Sequence, residues 1–275
     1  MSDAPLTVAQ ALLAARHAGI DRLDAQILLG TALGQSRAWL LAHDQDALPP
    51  HAAATFETWL TRRAQGEPLA YLVGDKEFFG LPLAVNPDVL IPRPDTEILV
   101  EWALDRIPTD HPFDVLDLGT GSGAIALAIQ QHRPQARVVA VDASEGALRT
   151  AQSNAERLGL PVQFRRGSWL QPVQGDRFDL IVSNPPYIAE GDPHLVALTH
   201  EPITALTAGP DGLDDIRQII DGAREHLRPG GWLLLEHGYD QAVAVTQLLQ
   251  QAGYGAIQTR RDLGGQNRCT GGQTL

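Results

Sequence analysis

At 275 residues, with 44% hydrophobic and 20% charged side chains, the chain has the composition of a soluble globular protein of one large or two unequal domains. Its formal net charge of −12 argues against wrapping a nucleic-acid backbone, because neutralising phosphates needs a basic surface. A single cysteine, Cys269, excludes an internal disulfide, and no apolar stretch reaches the length of a membrane span.

The N-terminus, "MSDAPLTVAQ", lacks the basic-then-apolar layout of a secretory signal, so a cytoplasmic protein off the membrane is expected. From Leu6 to about Val73 the pattern is helical. "LTVAQALLAARHAGI" and "DRLDAQILLGTALG" carry apolar residues at three- and four-residue spacings and break at Gly19 and Gly34. Asp21 and Ser36 are placed to cap the second and third helices. "PPHAAATFETWLTRRAQG" enters a further helix through Pro49 and Pro50 and closes it at Gly66. These short amphipathic helices predict a small bundle over residues 1–73. Arg62 with Arg63, Arg165 with Arg166 and Arg260 with Arg261 read as ordinary solvated pairs rather than as an anion-binding face.

Residues 74–94 change character: "EFFGLPLAVNPDVLIPRP" has period-two stretches broken by Gly and Pro, a hairpin or extended linker. A helix is expected from Thr96 to Ile107, with Asp95 as its cap and Glu97 in its first turn. From Phe113 onward, strand-like and helical segments alternate. "DVLDLG", "RVVAVD", "VQFRRG", "FDLIVSN" and "GWLLLEHG" are the strands, and "GAIALAIQQ", "SEGALRTAQSNAERLG", "GLDDIRQIIDGAREHL" and "YDQAVAVTQLLQQAG" the helices. This alternation predicts an α/β catalytic domain over 95–275: a doubly wound, mostly parallel, Rossmann-like sheet with helices on both faces. Such sheets bind ligands at the carboxyl ends of their strands, where strand order reverses.

The first strand runs into Asp117-Leu118-Gly119-Thr120-Gly121-Ser122-Gly123, which opens a helix. Glycines there let the backbone take positive φ and come close to a ligand. Asp142 ends the next strand, ~20 residues on, where a carboxylate accepts from ribose hydroxyls. Gly119, Gly121 and Ala124 also satisfy the loose dinucleotide fingerprint. Two features weigh against a dinucleotide. The Asp117 carboxylate suits an anionic pyrophosphate poorly, and the loop carries a third glycine, Gly123. S-adenosylmethionine, with a sulfonium and an ammonium, tolerates that negative charge, so methyl transfer leads.

"FDLIVSN" delivers Asn184 to the same rim, followed by Pro185, Pro186 and Tyr187. Amide and exocyclic amino nitrogens are poor nucleophiles because their lone pairs are delocalised. A site helps by accepting hydrogen bonds from their N–H groups as positive charge develops. The Asn184 side-chain oxygen and the Pro185 carbonyl are such acceptors, the prolines hold them in place, and Tyr187 can stack on a flat group. No metal-ligand set, Cys nucleophile or Ser/His/Asp arrangement competes. Cys269 reads as a packed strand residue, and His194, His200, His226 and His237 show no pairing.

With both motifs in view, the chain resembles the bacterial peptide chain release factor glutamine methyltransferases (protein-(glutamine-N5) methyltransferases) over nearly its full length. The resemblance rests on "RRAQGEPLAYLVGDKEFFGLPLAVNPDVLIPRPDTEILVE", "VLDLGTGSGAIALA", "VDASEGALRTAQSNAERLG", "SNPPYI" and "LEHG". It implies transfer of a methyl group from S-adenosylmethionine to the side-chain amide nitrogen of the glutamine in the Gly-Gly-Gln loop of release factors. Gly119, Thr120, Gly121, Ser122, Gly123, Asp142 and Trp169, with Asn184 at the edge, match the cofactor positions. Asn184, Pro185, Pro186 and Tyr187 match the grip on the substrate glutamine. It further implies that the helical domain docks on the release factor and that the hairpin joins the two domains; a monomer is expected. Arg93, Thr96 and Glu97 in "IPRPDTE" either line the pocket or hold the linker.

Close alternatives are a sibling enzyme acting on a ribosomal protein glutamine and an adenine-N6 nucleic-acid methyltransferase, the latter disfavoured by the acidic charge. A nicotinamide-dependent oxidoreductase and a non-catalytic nucleoside-binding module are the readings from other classes. Gly-Gly-Gln also occurs twice in this chain, ending at Gln266 and Gln273. The stretch "DLGGQNR" reads as a turn between the last two strands rather than as a substrate.

Overall fold

A computed structural model describes residues 6–275; the expectation of no secretory signal, read from residues 1–10, falls partly on residues 1–5, which lie outside the described residues. The chain divides into two compact units after Asp75.

The smaller unit is helical: α1 (Val8–His17), α2 (Arg22–Leu33), α3 (Arg37–Ala42), α4 (Pro50–Ala64) and a short α5 (Leu69–Val73). The caps are local chemistry. Thr7 and Gln10 form a reciprocal capping box on α1, the Asp21 carboxylate accepts from Leu23 N at 2.7 Å, and Ser36 accepts from Trp39 N at 3.2 Å. Gly34 ends α2 in the left-handed conformation, φ 64°. Val8, Ala11, Leu28, Leu29, Leu40 and Phe56 make the core of this unit.

The larger unit opens with a hairpin, β1 (Asp75–Phe78) and β2 (Leu81–Ala84), whose two-residue turn sets Phe79 and Gly80 at φ 50° and 79°. Positive φ at both turn positions matches the twist of paired strands. A 3₁₀ turn (Pro94–Thr96) then leads into α6 (Glu97–Arg106). Here the expected cap is corrected. Thr96 takes the cap position without a side-chain cap bond, and Asp95, drawn into the 3₁₀ turn, pairs instead with Arg268 at 3.1 Å.

The rest alternates: β3 (Phe113–Leu118), α7 (Ala124–His132), β4 (Ala136–Asp142), α8 (Glu145–Leu158), β5 (Gln163–Arg166), β6 (Phe178–Ser183), α9 (Asp214–His226), β7 (Leu227–Glu236), α10 (Ala242–Gln251), β8 (Gly255–Arg261) and β9 (Asn267–Gln273). The seven-stranded sheet runs β5-β4-β3-β6-β7-β9-β8, with β9 antiparallel to both neighbours and the remaining pairings parallel. Side-chain alternation divides the strands between two cores. Val115, Leu180, Trp232 and Leu234 face the layer containing Leu99, Trp102 and Leu127, whereas Leu116, Ile181, Leu233 and Leu235 face Ile216, Ile219 and Val245.

The chain winds outward from β3 through β4 to β5, then crosses to β6 on the other side of β3. The switch point therefore lies between β3 and β6, whose last residues, Leu118 and Ser183, are register partners. The Ser183 hydroxyl donates to the Leu118 carbonyl at 2.7 Å, pinning the two strand ends together. Both sequence motifs begin at that pair. Cys269 is buried in β9, as is Gly271 of the second Gly-Gly-Gln, where a Cβ would stand 2.6 Å from the Leu233 carbonyl oxygen. The first Gly-Gly-Gln occupies the β8–β9 turn, closed by Asp262 and Gln266.

Candidate active site

A cavity of about 310 Å³ lies over the switch point. Gly119, Gly121, Asp142, Trp169, Asn184 and Pro186 line it, together with Asp88, Ser168 and Asp215. Thr120, Ser122, Gly123, Pro185 and Tyr187 belong to the same two segments but stand outside the lining.

The glycine loop is shaped by its backbone. Gly119, Gly121 and Gly123 all adopt positive φ, at 72°, 56° and 85°. A Cβ at Gly119 would lie 3.3 Å from the Trp169 ring, and one at Gly123 would lie 3.0 Å from Leu127. Glycine is therefore required at the first position for the indole to cover the loop, and at the third for α7 and α8 to close beneath it. Trp169 itself has φ 45°, a strained setting for a bulky residue, and its Nε1–H donates to Asp215 at 3.2 Å.

Asp142 accepts from Gly121 N at 2.9 Å and from Ser144 N at 2.8 Å, which fixes its carboxylate at the cavity wall with lone pairs to spare. Burial raises its pKa, and these backbone donors oppose the rise. Asp117 is fully buried behind the loop. Its Oδ2 accepts from the Thr120 hydroxyl at 2.6 Å, its Oδ1 has no hydrogen-bond partner, and burial pushes the carboxyl up to about 7. It stands behind the loop and does not line the cavity.

The Asn184 segment rests on a polar layer. Asn184 Nδ2–H donates to Thr96 Oγ1 at 3.2 Å, leaving Oδ1 as the acceptor end of the amide. The Tyr187 hydroxyl donates to Glu236 Oε1 at 3.3 Å, so this ring is anchored beneath the site. Glu236 is fully buried at the end of β7. Burial raises its carboxyl to about 7, opposed by hydrogen bonding from the Thr96 hydroxyl, the Arg268 charge and the Tyr187 hydroxyl. Burial also drives the Tyr187 phenol well above its ordinary value.

Arg93 and Glu97 hold structure rather than line the cavity. Arg93 pairs with buried Glu201, which also accepts from Ile91 N at 3.1 Å, and Glu97 accepts from Phe79 N at 3.2 Å. Three contributors to the site carry no local sequence signal: Asp215, Glu236 and Asn154. Asn154, fully buried in α8, accepts from Ala84 N at 2.8 Å and donates to the carbonyls of Ala84 and Ser122, each at 3.0 Å. Only folding brings these residues to the motifs they support.

The arrangement is a nucleoside-sized cavity walled by a fixed carboxylate and an indole, with an oriented amide oxygen at its edge. Comparisons with known proteins bear on the family and the fold. A PrmC N-terminal domain model matches residues 6–74 and a Methyltransferase small domain model matches residues 95–253. The release factor glutamine methyltransferase of Xylella fastidiosa (strain Temecula1) is 51% identical over 266 residues, covering 96% of this chain and 97% of that protein. The Escherichia coli (strain K12) protein of the same name is 46% identical and covers 92% of each chain. Among solved structures, the T. thermophilus 16S rRNA N2 G1207 methyltransferase in complex with AdoMet and guanosine aligns with TM-score 0.57 at 23% identity, over 73% of this chain and 50% of that one. That likeness bears on the fold, which is the doubly wound methyltransferase sheet expected from the strand pattern. The near-full-length identity bears on the family: the chain belongs to the release factor glutamine methyltransferases.

Proposed function

We propose that the protein transfers a methyl group from S-adenosylmethionine to the side-chain amide nitrogen of the glutamine in the Gly-Gly-Gln motif of peptide chain release factors. The observation that carries this reading is Asn184, placed at the cavity edge beside the glycine loop with its Nδ2 committed to Thr96. The near-full-length identity to relatives named for that reaction supplies the substrate.

The donor set fits the cofactor. Asp142 would hold the ribose hydroxyls, Trp169 would lie beside the adenine, and the backbone of Gly119 and Gly121 would border the rest. Thr120, Ser122 and Gly123 would shape that loop from outside the lining. When bound, the cofactor supplies an electrophilic methyl group on a sulfonium, a charge that Asp117 and Asp142 favour.

The remaining work falls to the chain. The Asn184 oxygen and the Pro185 carbonyl accept from the glutamine N–H groups and aim the nitrogen lone pair into the cavity. Pro185 and Pro186 fix φ, so the acceptors do not drift. Tyr187, held through Glu236, supports this segment. An N-methylated amide cation is strongly acidic, so its proton passes to solvent without a dedicated base. The helical unit is read as the docking element for the release factor, residues 74–94 as the join, and 95–275 as the catalytic domain. The enzyme is read as a monomer. No described helix is long and apolar enough to cross a membrane, and a cytoplasmic site follows from the substrate.

Incubation with methyl-labelled S-adenosylmethionine and, separately, a release factor, a ribosomal extract and duplex DNA tests the reading. Label is expected in the release factor. Label in a ribosomal protein or in DNA, with the release factor unlabelled, would transfer the assignment to one of the alternatives.

A further inference from the structure

We propose that residues 202–205 form a strap along the cavity and that Glu201 is the positioning residue that fastens it, so that loosening Glu201 weakens the hold on a bound cofactor. This rests on the functional reading above, which assigns the cavity to S-adenosylmethionine.

Beyond the two motifs, two segments remote in sequence line the cavity: Asp88, Val89 and Leu90, and Pro202, Thr204 and Ala205. The first is irregular and the second is a 3₁₀ turn (Ile203–Ala205), so no sheet joins them. Glu201 does. It stands immediately before the strap and is 7% exposed. Its Oε2 accepts from Ile91 N at 3.1 Å, and its Oε1 accepts from the Arg93 guanidinium. Ile91 and Arg93 continue the chain from Leu90. One carboxylate thus ties together two stretches of cavity wall that lie 110 residues apart. Both of its oxygens are engaged, one by a main-chain donor and one by a cation, which makes the contact strong and directional.

The other end of the strap is pinned by backbone. Ile188 N donates to the Leu206 carbonyl at 2.9 Å, Ala208 N to the Ile188 carbonyl at 3.1 Å, and Glu190 N to the Gly209 carbonyl at 2.9 Å. These bonds hold the strap to the stretch that leaves Tyr187. On the Glu201 side, Asp88 sits against the first turn of α8, where a Cβ at Gly146 would stand 2.5 Å from its carboxyl carbon. That turn follows Asp142, the wall assigned to the ribose. The strap therefore runs between the ribose wall and the exit of the Asn184 segment. Ile203, between its cavity-lining neighbours, is 56% exposed. A wall already fastened contributes its contacts at no ordering cost, whereas a loose one must be ordered by the ligand and lowers its affinity. Glu201 itself does not line the cavity, so it acts through the strap.

The test compares wild type with Glu201→Gln, Arg93→Gln and the double variant. S-adenosylhomocysteine binding is measured by calorimetry. Backbone hydrogen exchange is followed by mass spectrometry in peptides covering 202–208, with β3 and β7 as internal references, in ligand-free and saturated protein. Within the strap, Ala205 N donates to the Pro202 carbonyl at 2.9 Å and Leu206 N to the Ile203 carbonyl at 3.0 Å, which gives the exchange its reporters. Glu201→Gln keeps the size and removes the charge that Arg93 pairs with. It should raise the dissociation constant about tenfold, as expected for one charge-assisted contact. Exchange in 202–208 should quicken at least about tenfold without ligand and return toward the wild-type rate at saturation, while β3 and β7 stay unchanged. Arg93, 39% exposed, can be replaced with little risk to folding, and Arg93→Gln should move both readouts in the same direction. The double variant should be no worse than the worse single one, because the same contact is lost.

An unchanged dissociation constant in Glu201→Gln, unchanged strap exchange, equal quickening in β3 and β7, or additive losses in the double variant would each overturn the proposal. Wild type that binds S-adenosylhomocysteine but leaves the release factor unlabelled would defeat the substrate reading alone. Wild type that fails to bind it would overturn both.

Discussion

Asn184 and Asp142 share one cavity; if, as proposed, they serve different ligands, their variants should separate. Asn184→Ala removes an acceptor that gains strength only as charge develops on the substrate nitrogen. Loss of one such preorganised contact is expected to cost on the order of 10²-fold in kcat, with S-adenosylhomocysteine binding nearly unchanged by calorimetry. Lost binding with normal turnover per bound cofactor would assign Asn184 to the cofactor instead. Asp142→Ala removes the fixed carboxylate at the wall. It should weaken the cofactor at least about tenfold, roughly one charge-assisted hydrogen bond; an unchanged dissociation constant argues against the ribose contact. Asp117 gives a pH test. Its carboxyl stands at about 7 in the fold against an ordinary 3.8. The native state therefore holds this proton where the unfolded chain has lost it, and the associated stability falls as pH rises from about 4 toward 7. Asp117→Asn should raise the melting temperature of the ligand-free protein at pH 8, with the gain shrinking by pH 5.5. A gain equal at both pH values would show that the desolvated charge is not its source.

At the scale of elements, the site depends on a junction between the hairpin, α8 and the glycine loop. Asn154 satisfies both backbone groups of Ala84 and the Ser122 carbonyl. Asn154→Ala would leave all three without this partner, the Ser122 carbonyl in a buried place and the Ala84 groups in a partly buried one, at a cost on the order of 3 kcal/mol. Calorimetry should show this as a drop of several degrees in melting temperature; a change within one degree would mean that the junction is not held by this residue. The same junction marks how far the sequence could be read. The glycine loop, Asp142 and the Asn184 segment were legible because their chemistry is local: positive-φ glycines, a strand-ending acid, paired prolines. Asn154, Asp215 and Glu236 sit in helices and a strand whose patterns are fully explained by packing, so nothing local marked them. Asp95 was misread because capping rules see a short acidic residue before a helix. They do not see Arg268, remote in sequence, which claims its carboxylate.

For the whole molecule, the acidic balance and the fold point the same way. Arg62, Arg63, Arg165, Arg166 and Arg260 each pair with an acidic side chain, so these clusters are poor candidates for phosphate contacts. The helical unit carries its own core and caps. The most direct test of the account is to locate the added methyl. The purified protein, labelled S-adenosylmethionine and a full-length release factor are incubated together, and the digested product is sequenced by tandem mass spectrometry. The account predicts a single methyl on the side-chain amide of the Gly-Gly-Gln glutamine, absent with the Asn184→Ala enzyme. A methyl on any other residue of the release factor, or an undiminished yield with Asn184→Ala, would contradict it.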